Sequence, residues 1–250
     1  MVECIGTGGN NGRVADQRDG GDNRVNEQAM FFLPACNVFI NENFALRCPA
    51  LFHGRLIDQL QRDAPIADLM EAEFDAFRNV ETMRLCAAAE RMRSTPNAGG
   101  SSVISEVLSY ELLKRYANAE LDRTEMEVTY FPEGGSIVDY TCFVQNCTVG
   151  VSVTRAMKFQ GQYTVDDAER LLVKKLLGLR RAARNCLCGH WSKALLHVWA
   201  ASPRVAALVQ HAYWDLLPAE MRDNALVLVT VANGPKAHLI FHENKNGCAM

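Results

Sequence analysis

Four sets of residues have types and spacing that chemistry can use. Asp139 is the only acidic residue in the apolar stretch from Ile137 to Gln145. A carboxylate set among apolar residues costs free energy unless something pairs with it, so it marks a candidate site. Cys186-Leu187-Cys188-Gly189-His190 has metal-like spacing. It supplies at most three ligands with no second pair nearby, whereas structural zinc closes with four, so a loop carrying thiols is the expectation. Cys142 with His197 or His211 is the nucleophile pair on offer. Nothing in the sequence orders such a dyad, and His197 lies among Leu195, Leu196, Val198 and Trp199 as a core histidine does. Between Tyr140 and Ala200, nine Lys or Arg stand against three Asp or Glu. Lys158, Arg170, Lys174, Lys175, Arg181 and Arg184 are the candidate phosphate contacts of this basic segment.

The elements that must position these residues are legible as patterns. Three strands are expected over Glu125 to Phe131, Ile137 to Gln145 and Thr148 to Met157, joined by the tight turns Glu133-Gly134-Gly135 and Asn146-Cys147. In the second, Asp139 shares a face with Thr141 and Phe143. In the third, Ser152 and Thr154 share a face opposite Val149, Val151 and Val153. A helix from Ser101 or Ser102 to about Asn118 precedes them, with Glu106 and Glu111 towards the edge of its apolar face. Thr164 caps the helix that follows, to Arg184, on the buried stripe Val165, Ala168, Leu172, Leu176 and Leu179. Trp191 to Ala200 is expected to be helical, as is Ser202-Pro203 to Leu217. Ala225 to Ala232 is apolar on both faces and is expected to be a buried central strand, with His238 to His242 as one more strand.

Upstream, Met30 to Phe44 is apolar, and Pro34 restricts it to an edge strand or a docked extended segment. Leu51 to Leu60 is expected to be a short helix. Pro65 opens a longer one, with Ile66, Leu69, Met70, Phe74, Phe77, Val80, Met83 and Leu85 at helical spacing to about Met92. The expected organisation is a disordered tail over 1–28, a helical N-terminal extension over 29–93, a linker over 94–100, an α/β core domain over 101–243 and a tail over 244–250. The glycine-rich run Gly6 to Gly12 lacks the flanking strand and helix and the Lys-Ser/Thr ending of a phosphate loop.

Composition narrows the classes. The chain has 250 residues, 48% hydrophobic and 22% charged, with a formal net charge of −3. A chain-wide basic surface is therefore absent, and a nucleic-acid contact must be local. No apolar run reaches the roughly 20 residues that span a bilayer, so no membrane is expected. The first residues carry no basic region followed by an apolar one, and the nine cysteines are scattered singly. Both point to an intracellular protein, cytoplasmic or nuclear, with reduced thiols.

The order helix, three strands, helix, helical insert, buried strand over about Ser101 to Val231 resembles the common core of the PD-(D/E)XK nuclease-like superfamily, the restriction-endonuclease fold. In that family an acid on the second strand and a Glu-x-Lys on the third meet at a metal, often joined by a Glu from the first helix. Carried over, Asp139 matches the second-strand acid and metal ligand. The third-strand positions fall on Ser152-Val153-Thr154, and Glu106 or Glu111 matches the helix Glu. Neither Glu nor Lys stands on that third strand; the resemblance then asks the following helix for the amine, with Lys174 as the candidate beside Arg170 and Lys175. If the site is active, the resemblance implies Mg²⁺ at Asp139, which would activate water and stabilise charge on phosphorus.

The expected fold is thus α/β, a mixed sheet with helices on both sides. The expected function is a nuclease-like domain, catalytically degenerate, that binds DNA or RNA or cleaves it weakly. The alternative is a protein-interaction module that docks through the 66–92 helix and the aromatic insert carrying Trp191, Trp199, Tyr213 and Trp214.

Overall fold

The computed structural model describes residues 36–62, 67–98, 102–191, 193–222 and 225–242. The expected tails over 1–28 and 244–250 and the run Gly6 to Gly12 lie outside the described residues. In chain order the strands are β1 (Cys36–Ile40), β2 (Phe44–Pro49), β3 (Asp68–Ala76), β4 (Glu120–Thr124), β5 (Tyr140–Val144), β6 (Cys147–Ala156), β7 (Lys193–Ala200) and β8 (Ala225–Asn233). The helices are α1 (Phe52–Gln61), α2 (Ala87–Ser94), α3 (Val103–Ala117), α4 (Val165–Asn185), α5 (Pro203–His211) and α6 (His238–Phe241).

All eight strands form one sheet, ordered β1-β2-β3-β8-β7-β6-β5-β4. Its centre is parallel, since β3, β8, β7 and β6 run the same way. Each edge is antiparallel, with β1 and β2 on one side and β5 and β4 on the other. The sheet divides the core in two. On one face α1, α3 and α6 pack Leu56, Leu108, Leu112 and Ile240 against Val149, Val151 and Trp199. On the other, α4 and α5 pack Leu172, Leu176, Leu179 and Val209 against Leu196, Val198 and Val229. This is the mixed sheet with helices on both sides expected from the sequence.

Within it, α3-β4-β5-β6-α4-β7 runs as helix, three strands, helix, strand with no insertion. The segment Trp191 to Ala200, expected as an inserted helix, is the parallel strand β7. It is buried on both faces, so its apolar run carries no period, and Leu and Ala there favour a helix until the neighbouring strands pair with it. His238 to His242 is corrected in the other direction and forms α6.

The N-terminal half departs further. The long helix expected from Pro65 to Met92 is β3, a short 3₁₀ turn over Val80–Thr82, and α2. Residues 63–66 lie outside the described residues. In place of a helical N-terminal extension over 29–93, this region contributes β1, β2 and β3 to the common sheet. Because β3 pairs with β8, the segments on either side of the 94–100 linker share one sheet, and all described residues fall within one unit, Leu33–Met250. The docking surface imagined on a 66–92 helix is therefore absent. The aromatic insert is mostly core: Trp199 and Tyr213 are fully buried and Trp191 nearly so, while Trp214 is exposed.

Candidate functional site

The strand expected over Glu125 to Phe131 begins five residues earlier, as β4. Thr124 ends it by capping a 3₁₀ turn over Glu125–Glu127, with the Glu127 side chain returning to the Thr124 amide at 2.9 Å. Glu125 is thereby lifted off the sheet. The chain then crosses to α4's far end, where Tyr130 bridges Cys186. It returns so that Asp139 enters the ladder just ahead of β5, its amide donating to the Val151 carbonyl at 2.9 Å.

Asp139 faces α4. Its Oδ2 accepts the Val153 amide at 2.5 Å, and the Ser152 hydroxyl also donates to it. Lys175 reaches down from α4, and its Nζ donates to Ser152 Oγ at 3.3 Å and to the Val153 carbonyl at 3.1 Å. Burial pushes the Asp139 carboxyl above its ordinary range. The Lys175 ammonium and the two donors from β6 pull it back without cancelling the effect. Glu125 joins the same field. Burial raises its pKa and the Asp139 charge adds to that, while the Ala98 amide, 2.7 Å from its Oε2, and Lys175 oppose. Tyr130 closes the side, its hydroxyl accepting the Val138 amide at 3.1 Å. The cluster is thus two carboxylates with raised pKa values around one amine and one hydroxyl.

Of the residues singled out in the sequence, Asp139 and Ser152 meet. Thr154 lies two residues further along the same face of β6, half-buried. Lys174 is corrected: it is exposed on the outside of α4, and the neighbouring Lys175 occupies the site. One residue turns a helix by about 100°, which separates the two positions fully. The signal was available, because Lys175 lies on the buried stripe three residues after Leu172 and four before Leu179. Glu111 is corrected as well. It is fully buried, but it accepts Arg115 Nε at 2.7 Å and the Cys86 amide at 3.0 Å, a clamp between α3 and α2. Glu106 is buried on α3, which packs on the face of the sheet opposite α4. Glu125 is the site residue that sequence reasoning missed, since a regular strand over 125–131 would have made it one of several alternating polar positions.

A Mg²⁺ ion takes about six oxygen ligands with carboxylates among them. Here two half-buried carboxylates, Asp139 and Glu125, face a hydroxyl and an ammonium, and no group of three His, Cys, Asp or Glu converges among the described residues. The positive charge that a metal would bring is already supplied by Lys175, so these residues do not fit the ion.

The basic candidates divide. Lys158 and Arg170 share Asp167, at 2.9 and 2.5 Å, and Lys175 serves the site. Lys174, Arg181 and Arg184 remain as an exposed row along α4, with no ion-pair partner among the described residues. The nucleophile pairs do not form. Both ring nitrogens of His197 are taken, by Ser109 Oγ at 2.7 Å and Thr230 Oγ1 at 2.9 Å, and its pKa falls to about 3 through burial. His211 pairs with Asp215 on the surface, at 2.7 Å. Burial drives the Cys142 thiol up to about 12.

No family model matches the chain. It is similar to the AAC-rich mRNA clone AAC4 protein of Dictyostelium discoideum, 37% identical over 180 residues that cover 68% of this chain. The chain spans about a quarter of that relative's length, 26%. Among solved structures it matches Pyrococcus furiosus SfsA in complex with Ca²⁺, at 15% identity over 81% of this chain and 90% of that one, with a TM-score of 0.29. What stands here is an α/β protein with an open eight-stranded mixed sheet and a carboxylate–lysine site between β6 and α4. No helix among the described residues is long and apolar enough to cross a membrane.

Proposed function

We propose that this chain carries a nuclease-like domain whose site no longer performs metal-dependent hydrolysis and which binds nucleic acid along the outer face of α4. One observation carries the reading: the Lys175 amine reaches the Asp139–Ser152 face of the sheet from α4, where the resemblance would place the third-strand acid and metal. An ammonium held there neutralises Asp139 and leaves a closed, charge-compensated cluster. The element order α3-β4-β5-β6-α4-β7 supports the same reading. The row Lys174, Arg181 and Arg184 supplies cations that track a phosphate backbone, whose contacts give affinity without sequence preference.

The test is cleavage and binding of labelled single- and double-stranded DNA and RNA, with Mg²⁺ or Mn²⁺, by the wild type and Asp139→Ala. Salt-dependent binding with no cleavage in either protein is the expected result. Cleavage by the wild type that Asp139→Ala abolishes would replace this reading with an active nuclease. Neither cleavage nor binding would remove nucleic acid from the account and turn attention to a protein partner at the exposed Trp214.

A further inference from the structure

The loop after α4 carries two thiols that the proposed function does not use. It is pinned to the 129–131 segment by backbone hydrogen bonds: Leu187 N to Thr129 O at 2.8 Å, and Phe131 N to Asn185 O at 2.9 Å. This anchoring brings the Cys188 sulfur onto the Thr129 amide, which donates to it at 2.9 Å. The Cys186 thiol is buried and hydrogen-bonds to Cys188. Cys188 is half-exposed and lines a cavity of about 190 Å³ with Arg123, His190 and Trp191. One sulfur is thus solvent-accessible and receives donors near a guanidinium, with the Thr129 and Glu127 carbonyls at 3.9 and 4.0 Å, and a second, more deeply buried sulfur is held against it at the wall of the same cavity.

We propose that Cys188 and Cys186 form a nucleophile and resolving pair that reacts with hydroperoxides. In the first step the Cys188 thiolate attacks the distal oxygen of the hydroperoxide. The O–O bond breaks, an S–O bond forms, and the remaining oxygen takes a proton and leaves as water or an alcohol, giving the sulfenic acid. In the second, Cys186 sulfur attacks Cys188 sulfur. The S–S bond forms, the S–O bond breaks, and the hydroxide leaves as water with the Cys186 proton. Two thiols lose two electrons and the hydroperoxide gains them.

The order of attack follows from the surroundings. The Thr129 hydroxyl first, then the Thr129 amide, Arg123 and the Cys186 thiol, stabilise negative charge on Cys188 and hold its pKa below the ordinary thiol range. Burial holds Cys186 above it, as suits the second step, where it is delivered by proximity. The remaining described cysteines are free thiols, of which Cys36 is exposed and lacks these donors. Accessibility alone would therefore select Cys36, and the built environment selects Cys188.

The experiment treats the full, reduced chain with stoichiometric hydrogen peroxide and maps cysteine oxidation by peptide mass spectrometry, with dimedone as the trap for sulfenic acid. In the wild type the peptide holding both residues should lose two hydrogens, about tenfold faster than Cys36 is modified. In Cys186→Ser, dimedone should label Cys188. In Cys188→Ser, whose hydroxyl can still accept the Thr129 amide, Cys186 should stay reduced over the same exposure. Cys36 reacting first, or Cys186 reacting equally well in Cys188→Ser, would overturn the proposal. Matching thermal melts of the three proteins exclude misfolding as the cause.

Discussion

Lys175 on α4 and Ser152 on β6 are joined by a 3.3 Å hydrogen bond, and through Ser152 and the Val153 backbone the amine is tied to Asp139. Removing either charge strands the other in a half-buried site. Asp139→Asn and Lys175→Met should each destabilise the fold by about 1–3 kcal/mol at neutral pH, and the double variant should cost less than the sum. Urea unfolding of the four proteins measures the coupling; strict additivity would mean that the two charges do not compensate each other.

The same site sets a pH dependence. Asp139 has a raised pKa in the folded state. Folding therefore favours its protonated form, and its contribution to stability is fully present below the unfolded value of about 3.9 and is lost as pH rises through the folded value. Lys175 limits that loss by lowering the folded pKa. Lys175→Met should therefore destabilise the protein more at pH 7 than at pH 4. Equal losses at both values would place the effect in packing instead of charge.

His197 acts with the opposite sign. It is fully buried between Ser109 and Thr230, with a pKa of about 3 against about 6.5 when unfolded. Between those values the unfolded chain binds the extra proton, so stability falls as pH drops below 6.5, by about 1.4 kcal/mol per pH unit. His197→Gln should be less stable at pH 7 and show a flatter dependence between pH 6.5 and 4.5, read by chemical unfolding. An unchanged slope would assign the acid sensitivity to other groups.

Gly150 on β6 lies under the Trp191 ring, and a Cβ built there would sit 2.6 Å from it. The glycine is needed for this close approach. Gly150→Ala should force Trp191 aside at a cost of about 1–3 kcal/mol, with a shift in tryptophan emission. In a Trp191→Leu background the same alanine should cost much less. A similar loss in both backgrounds would locate the strain in the backbone.

The row on α4 predicts a salt effect. If Lys174 and Arg181 each neutralise a phosphate, the variant Lys174→Glu/Arg181→Glu should weaken binding and lower the slope of log affinity against log salt by about 2. The slope of a filter-binding titration decides this, and an unaltered slope would move the contact elsewhere on the surface.

Where residue types alternated or striped clearly, the sequence was enough. The alternation of Val149, Val151 and Val153 with Ser152 and Thr154 fixed β6 and the face of its hydroxyls. The stripe through Ala168, Leu172, Leu176 and Leu179, with Thr164 ahead of it, fixed α4. Asp139 stood out as a lone charge in an apolar run, and it is in the site. For β3, Met70, Ala72 and Phe74 alternate with Glu71, Glu73 and Asp75, a two-residue period that local residue types masked, since Leu, Met, Glu and Ala all favour helix. Pairing with β2 and β8 overrode that preference. β7 gave no period at all, because it is covered on both faces.

What only the tertiary structure decided was which groups meet. Local pattern says which face of an element is buried, but not what lies opposite. That Lys175 instead of Lys174 reaches Ser152 and the Val153 carbonyl beside Asp139, that Glu111 serves α2 instead of the site, and that Cys188 rests on the Thr129 amide all depend on how elements far apart in the chain are laid against one sheet. Such contacts are set by the summed packing of the whole core, and no single stretch of sequence carries that sum.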